Sequence, residues 1–284
     1  MINKGIKRIL EPVLLILPGF AFLLLAFFFP ALHMLSLSLL GENGLMGGLT
    51  LEHYGKLILD DFYLGVALRT FRLSLLITLI CLLTGFPLAV VISRSKPKIR
   101  SLMILIVVLP LMTSVVIRTF GWLVILGPGG GLSWALENIG LIDRQISLMH
   151  TESGIVIAMV HVLLPFLVLT TLGSINKIPP DLDGATRVMG AGFFRSLCHV
   201  TLPLSVPGLV SGSLLVFALS ISSFITPSLV GGVRLQVMAG SIYQQVTGSF
   251  DWGFGAALSV VLLAATLMVI LPYMVLSNRF GGRT

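Results

Sequence analysis

Apolar residues in this chain gather into six long runs, near residues 12–36, 66–93, 101–126, 154–175, 204–228 and 254–277, and most of the charge falls between them. Each run is long enough for an α-helix, rising ~1.5 Å per residue, to cross roughly 30 Å of hydrocarbon. The pattern predicts an all-α membrane protein: one transmembrane domain over residues 1–284, with six helices and both ends on the same side. The first run follows Lys4, Lys7 and Arg8. It is too long for the apolar part of a signal peptide and no small-residue cleavage pattern follows it, so it reads as a true span.

Composition agrees. Hydrophobic residues make up 56% of the 284 and charged residues only 10%, and the mean hydropathy is +1.06, which excludes a soluble globular chain. Charge then orients the spans. Lys4, Lys7 and Arg8 precede the first run, Arg94, Lys96, Lys98 and Arg100 separate the second and third, Lys177, Arg187 and Arg195 separate the fourth and fifth, and Arg279 and Arg283 follow the sixth. These lie on the side of the termini, so the positive-inside rule places both ends in the cytoplasm. Most acidic residues fall on the other side. The net charge of +7 is therefore a property of topology, and no nucleic-acid partner is implied.

Several chemistries are missing from the sequence. No phosphate-binding Gly-x-x-x-x-Gly-Lys-Ser/Thr loop occurs, nor His-Glu-x-x-His, Cys-x-x-Cys or a Gly-x-Ser-x-Gly elbow. The chain is not expected to be an enzyme or to carry a cofactor or metal. Cys81 and Cys198 fall in a span and in a cytoplasmic loop and read as packing residues.

The loop between the fourth and fifth runs, residues 176–203, has its own local chemistry. Pro179 and Pro180 suit a helix start, Asp181 and Asp183 fall in the first turn where the helix dipole favours negative charge, and Gly190 is placed for a left-handed cap. Leu182, Ala185, Thr186 and Met189 make one mostly apolar face, and Asp183 pairs with Arg187 at i,i+4 on another. Nothing within the loop can bury the apolar face. A helix lying on lipid headgroups usually carries several Lys or Arg and bulky apolar residues, whereas small residues here favour a groove on a soluble partner.

With Gly190 and the later Leu202-Pro203, this loop resembles the coupling segment of binding-protein-dependent ABC importer permeases: Glu-Ala-Ala, three residues, Gly, then Leu-Pro. Gly184, Ala185 and Thr186 stand where Glu-Ala-Ala is expected, so the glutamate is replaced, and Asp183 comes one residue early. Other segments resemble the spermidine/putrescine-type branch of these permeases. They are Pro-Leu-Met-Thr-Ser-Val-Val-Ile-Arg-Thr-Phe-Gly-Trp at 110–122, Gly-Pro-Gly-Gly-Gly at 127–131, Leu-Leu-Pro-Phe at 163–166, Thr-Leu-Pro-Leu-Ser-Val-Pro-Gly at 201–208 and Ile-Thr-Pro-Ser-Leu-Val-Gly-Gly at 225–232.

The resemblance implies a type I ABC importer permease fold with a cytoplasmic coupling helix, in the bacterial inner membrane. The implied partners are a second permease, commonly a different homologue, two cytoplasmic ATPases that hold the ATP and Mg, and an extracytoplasmic binding protein. Leu182, Asp183, Gly184, Ala185, Thr186, Arg187, Met189 and Gly190 would form the ATPase-coupling surface. The leading substrate is a polyamine, with phosphonate, ferric iron, thiamine, amino-sugar conjugates or opine-like compounds as rivals. A secondary transporter would be expected to show inverted repeats and paired intramembrane acids, and neither is evident.

Few polar groups fall at membrane depth. Arg118 and Trp122 near the outer end of the third run read as outer-gate or structural residues, with capping of a loop carbonyl as one role for the arginine. Ser222, Ser223, Thr226, His161 and Asp251 are candidate translocation-path residues. Serines beside Pro227 either line a water-filled cavity or bond back to their own helix, and His161 either faces another helix or meets substrate. A polycation benefits from acids along its path, and this chain offers chiefly Glu152 and Asp251, near outer helix ends. Gly208 and Gly212, four apart, permit tight helix packing.

Overall fold

The computed structural model describes residues 4–41, 44–142, 145–179, 181–182, 186, 190 and 192–281, with side chains described at all of these except 4–15, 44–47 and 274–281. Almost every element is helical. In chain order they are α1 (Lys4–Ser38), a hairpin of β1 (Leu40–Gly41) and β2 (Gly44–Leu49), α2 (Glu52–Leu59), α3 (Asp61–Arg94), α4 (Pro97–Val108), α5 (Val115–Leu126), α6 (Gly131–Asn138) and α7 (Glu152–Ile175). Then follow α8 (Phe193–Ser196), α9 (Leu202–Ile221), α10 (Ile225–Gly231), α11 (Met238–Thr247) and α12 (Trp252–Gly281). Six helical stretches among the described residues are long and apolar enough to span a bilayer.

Two of the six expected spans are not single helices. The run 101–126 is split: α4 passes into a 3-10 turn at Leu109–Met112, Thr113 and Ser114 are extended, and α5 starts at Val115. Pro110 is the cause, because it lacks the N–H that a continuing helix needs and crowds the preceding turn. The run 204–228 is split likewise, α9 ending at Ile221 and α10 starting at Ile225. Here Pro227 is the third residue of the new helix, where a missing N–H costs nothing.

The chain divides into two compact units. One comprises Met1–Asp60 with Ile242–Val261. Within it Ser38 Oγ lies 2.7 Å from the Tyr54 hydroxyl, the His53 ring 3.0 Å from the Leu40 carbonyl, and the Lys56 ammonium 4.6 Å from the centre of the buried Phe254 ring. The span of α1 is different: none of its most apolar stretch is buried.

The other unit comprises Asp61–Ser241 with Leu262–Thr284, and its core is built on α7. Leu73, Ile77 and Cys81 of α3, Met159, Leu163 and Leu167 of α7, and Val216 of α9 form one buried cluster. A second, towards the other end of α3 and α7, holds Ala89, Val90, Ile92, Val168 and Leu172. Close approach is made by glycines. A Cβ on Gly208 would lie 2.6 Å from Ser174 Cβ and 2.7 Å from the Thr170 carbonyl oxygen, and one on Gly212 2.3 Å from Thr170 Oγ1. Small residues at a helix crossing let dispersion forces act at short range where lipid offers no hydrophobic drive.

Gly208→Ala should therefore destabilise the protein by about 1–3 kcal/mol, the range for overpacking, seen as a lower thermal midpoint in detergent. Gly19→Ala in α1, where an added Cβ meets nothing within 4 Å, should be neutral. Equal midpoints for both variants would show that the α7–α9 contact is looser than described.

Candidate functional site

In the loop at 176–203, Leu182 and Thr186 are helical. Leu182 is exposed, while Thr186 is buried and donates from its hydroxyl to Ser196 Oγ at 3.2 Å. Thus Thr186 is tied to α8 and Leu182 is left outward. Gly190 has φ of +73°, the left-handed conformation of a helix C-terminal cap. Asp183, Gly184, Ala185, Arg187 and Met189 lie outside the described residues. Immediately after come Phe193 and Phe194, 56% and 78% exposed. Sequence reasoning passed over this pair, although adjacent aromatics in a polar loop were a readable signal.

The two helix breaks hold most of the other candidates. Arg118 Nη1 donates to the Pro110 carbonyl, which also accepts from Thr113 N at 3.4 Å and Thr113 Oγ1 at 2.8 Å. The guanidinium thus covers a backbone oxygen that the break had freed. One residue on, Thr119 and Thr226 are both buried with hydroxyl oxygens 3.0 Å apart, linking α5 to α10. That bond joins the helix after one break to the helix after the other. It was not foreseeable from sequence, because the residues are 107 positions apart.

Trp122 and His161 form a pair: the indole Nε1 donates to His161 Nδ1 at 3.4 Å and the rings meet edge-on with centroids 5.3 Å apart. His161 is exposed on the helix surface. At the second break, Ser222 is exposed and donates to the Ala218 carbonyl at 2.8 Å. Ser223 donates to Met159 Sδ at 3.5 Å, so this break lies beside the part of α7 that carries His161. Ser223 thus lies beside α7, Ser222 and His161 are both exposed, and Thr226 is turned into the protein.

The two acids are already engaged. Glu152 pairs with Arg72, with Arg69 Nε 3.9 Å away, and Arg69 also donates to the Gln236 carbonyl at 3.2 Å. Asp251 Oδ1 accepts from Phe254 N at 2.9 Å, an N-terminal cap for α12. Glu152 thus has its counter-charge in Arg72, while Asp251 is held as a helix cap. Among the described residues no group of three His, Cys, Asp or Glu could hold a metal ion.

Comparison with known proteins gives this geometry a context. The family described as binding-protein-dependent transport system inner membrane component matches residues 68–281. The chain belongs to this family. It is a transmembrane permease of an ABC importer. It is similar to the spermidine/putrescine transport system permease protein PotB of Haemophilus influenzae, 32% identical over 96% of this chain and 94% of the relative. The same protein of Escherichia coli is 34% identical over 79% of this chain and 81% of its own, and the molybdenum transport system permease protein ModB of Mycobacterium bovis is 34% identical over 68% and 72%. A solved bacterial alginate ABC transporter, in complex with an alginate pentasaccharide-bound periplasmic protein, has a chain with TM-score 0.82 and 20% identity, covering 97% of this permease and 96% of itself.

The type I permease fold follows from that likeness, and the matched segments acquire physical reasons. Residues 110–122 contain the first break and the arginine that covers it. In the 127–131 segment a Cβ on Gly130 would fall 2.3 Å from the Val124 carbonyl oxygen. The final Gly232 of the 225–232 segment has φ of +65° and would meet the His150 ring at 2.5 Å. Each is a place where backbone must turn or be approached closely.

Thr226→Val keeps the shape of the side chain and removes the buried bond to Thr119, whose hydroxyl still donates to the Val115 carbonyl at 2.8 Å, so a loss of about 0.5–1.5 kcal/mol is expected, that of one net hydrogen bond. Ser222→Ala, which removes only an exposed bond to its own helix, should leave the thermal midpoint of the purified permease within about a degree. A midpoint unchanged by Thr226→Val would contradict a link between α5 and α10.

Proposed function

We propose that this permease is one half of the membrane channel of an ATP-driven polyamine importer. The observation that carries the substrate is the match to a spermidine/putrescine permease along nearly the whole chain. Both termini are cytoplasmic, on the side where Lys and Arg concentrate. ATP is hydrolysed with Mg by two separate ATPase subunits, and an extracytoplasmic binding protein delivers the solute.

The loop helix around residues 181–190 is the coupling helix. Leu182, Asp183, Gly184, Ala185, Thr186, Arg187, Met189 and Gly190 form or shape the surface that enters a cleft of the ATPase, and Phe193 and Phe194 extend its apolar area. What supports this is the left-handed Gly190, the outward Leu182 and the buried Thr186 bonded to α8. Closure of the ATPases moves this helix, and the spans carry the motion to the outer breaks.

The solute passes along the face of Ser222, Ser223 and His161, with Trp122 offering an aromatic surface to an ammonium group. Since Glu152 and Asp251 are bonded internally, the carboxylates that a polycation needs at depth come from a second, different permease. A second reading, the same importer with another solute, is favoured by the equal identity to a molybdenum permease over a shorter stretch.

Proteoliposomes holding the whole complex should accumulate labelled spermidine or putrescine only with ATP and the binding protein. An ATPase stimulated by a loaded binding protein without polyamine uptake would discard the substrate and keep the importer. Gly190→Val forces a β-branched residue into a left-handed turn and should leave ATP hydrolysis while cutting uptake on the order of tenfold. Undiminished coupled uptake in that variant would remove the assignment of the coupling helix.

A further inference from the structure

The end of α3, the first turn of α4 and the end of α7 meet around a cavity of about 290 Å³, separate from the breaks and their polar groups. Its wall carries Arg94, Arg100, Asn176 and Thr201. Arg94 is exposed and Arg100 half-buried, and each guanidinium has a partner. Arg100 Nη2 donates to Asn176 Oδ1 at 2.9 Å, while Arg94 Nη2 donates to Thr201 Oγ1 at 3.1 Å and lies 4.9 Å from the centre of the Phe193 ring. A guanidinium has five N–H donors, so Arg100 keeps several for an acceptor in the cavity.

The surroundings are basic. Arg94, Lys96, Lys98 and Arg100 follow one another at alternate positions, Lys177 stands on the facing segment, and residues 93–100 and 174–179 contain no acid. Lys96, Lys98 and Lys177 are exposed. These residues end or begin membrane-spanning helices, which puts the cavity at headgroup depth. From it an apolar surface runs along α4 toward the bilayer centre, where Ile99, Leu102, Leu105 and Ile106 are each more than half exposed.

We propose that this cavity binds the phosphate of an anionic phospholipid, with an acyl chain lying along α4. Two arginines on one cavity wall suit a phosphate, and basic pockets between transmembrane helices on the cytoplasmic side are where anionic headgroups bind. The apolar strip beside the cavity favours a lipid over free phosphate, which would leave that strip without a partner. The leaflet rests on the orientation proposed above. A phosphate here would join α3 and α4 to the end of α7, next to the coupling loop, so that lipid composition tunes how ATP hydrolysis is transmitted.

The test is lipid retention by the purified transporter. The assembled complex, taken from nanodiscs of mixed phosphatidylglycerol and phosphatidylethanolamine, is delipidated and its remaining lipid measured by native mass spectrometry. Wild type should hold phosphatidylglycerol at several times its bulk share, and Arg94→Gln/Arg100→Gln should lose this on the order of tenfold. Arg234→Gln, an exposed arginine in the turn Val233–Leu235, should not. Retention at the bulk ratio in wild type needs no variant to interpret and would overturn the site, as would equal retention in the double variant. Displacement of the retained lipid by millimolar glycerol 3-phosphate would show that soluble phosphate suffices and overturn the lipid as occupant. Retention is read from binding alone, so failure of the importer reading would appear separately, as absent uptake with lipid still bound.

Discussion

Inside a bilayer no water is available to bond a stray backbone group, so every interruption of a helix must be repaired by the protein itself. Two spans here are interrupted, at residues 109–114 and 222–224, and the polar side chains around them are the repair. The Pro110 carbonyl receives Arg118 and Thr113, and the Leu219 carbonyl, whose usual donor Ser223 N turns to the Ser220 carbonyl instead, receives the Ser222 hydroxyl at 3.4 Å. Thr119 and Thr226 then bond the two downstream helices to each other. Arg118, which in isolation looks like a charge stranded in a membrane, is explained by the oxygen it covers.

The breaks sit within a closely packed unit. Around α7 the helices meet through glycines at distances that leave no room for a methyl group, and two apolar clusters fill the length of α3 and α7. Close-packed contacts of this kind are stiff. The helices after the breaks share this packing: Leu126 of α5 and Val230 of α10 are buried in the first cluster, and the Thr119–Thr226 bond adds to it.

Much of this was legible in the sequence for a simple reason. Hydrocarbon thickness sets span length and Lys/Arg bias sets orientation, so six spans could be read from hydropathy, and Gly208 and Gly212 announced a close crossing. Gly190 was readable because a capped helix ends on a residue free to adopt positive φ, as it does here. Hydropathy cannot register a break whose residues stay apolar, and residues 101–126 and 204–228 therefore read as continuous. Roles set by distant partners were hidden too. Glu152 looked available to a cation until Arg72 and Arg69 were beside it, and Thr226 looked like part of a path until Thr119 faced it.

The central functional claim is that the second break borders water rather than lipid, which one labelling measurement tests directly. In a Cys198→Ser background, which leaves only the buried Cys81, Ser222→Cys is exposed to a charged thiol reagent in the reconstituted importer, with Leu83→Cys as a lipid-facing control, Leu83 being 61% exposed. Because only a hydrated thiolate reacts, Ser222→Cys should be modified, at a rate that changes when ATP is added, while Leu83→Cys stays inert. If Ser222→Cys is as unreactive as Leu83→Cys with and without ATP, the break faces lipid or protein and the translocation path runs elsewhere.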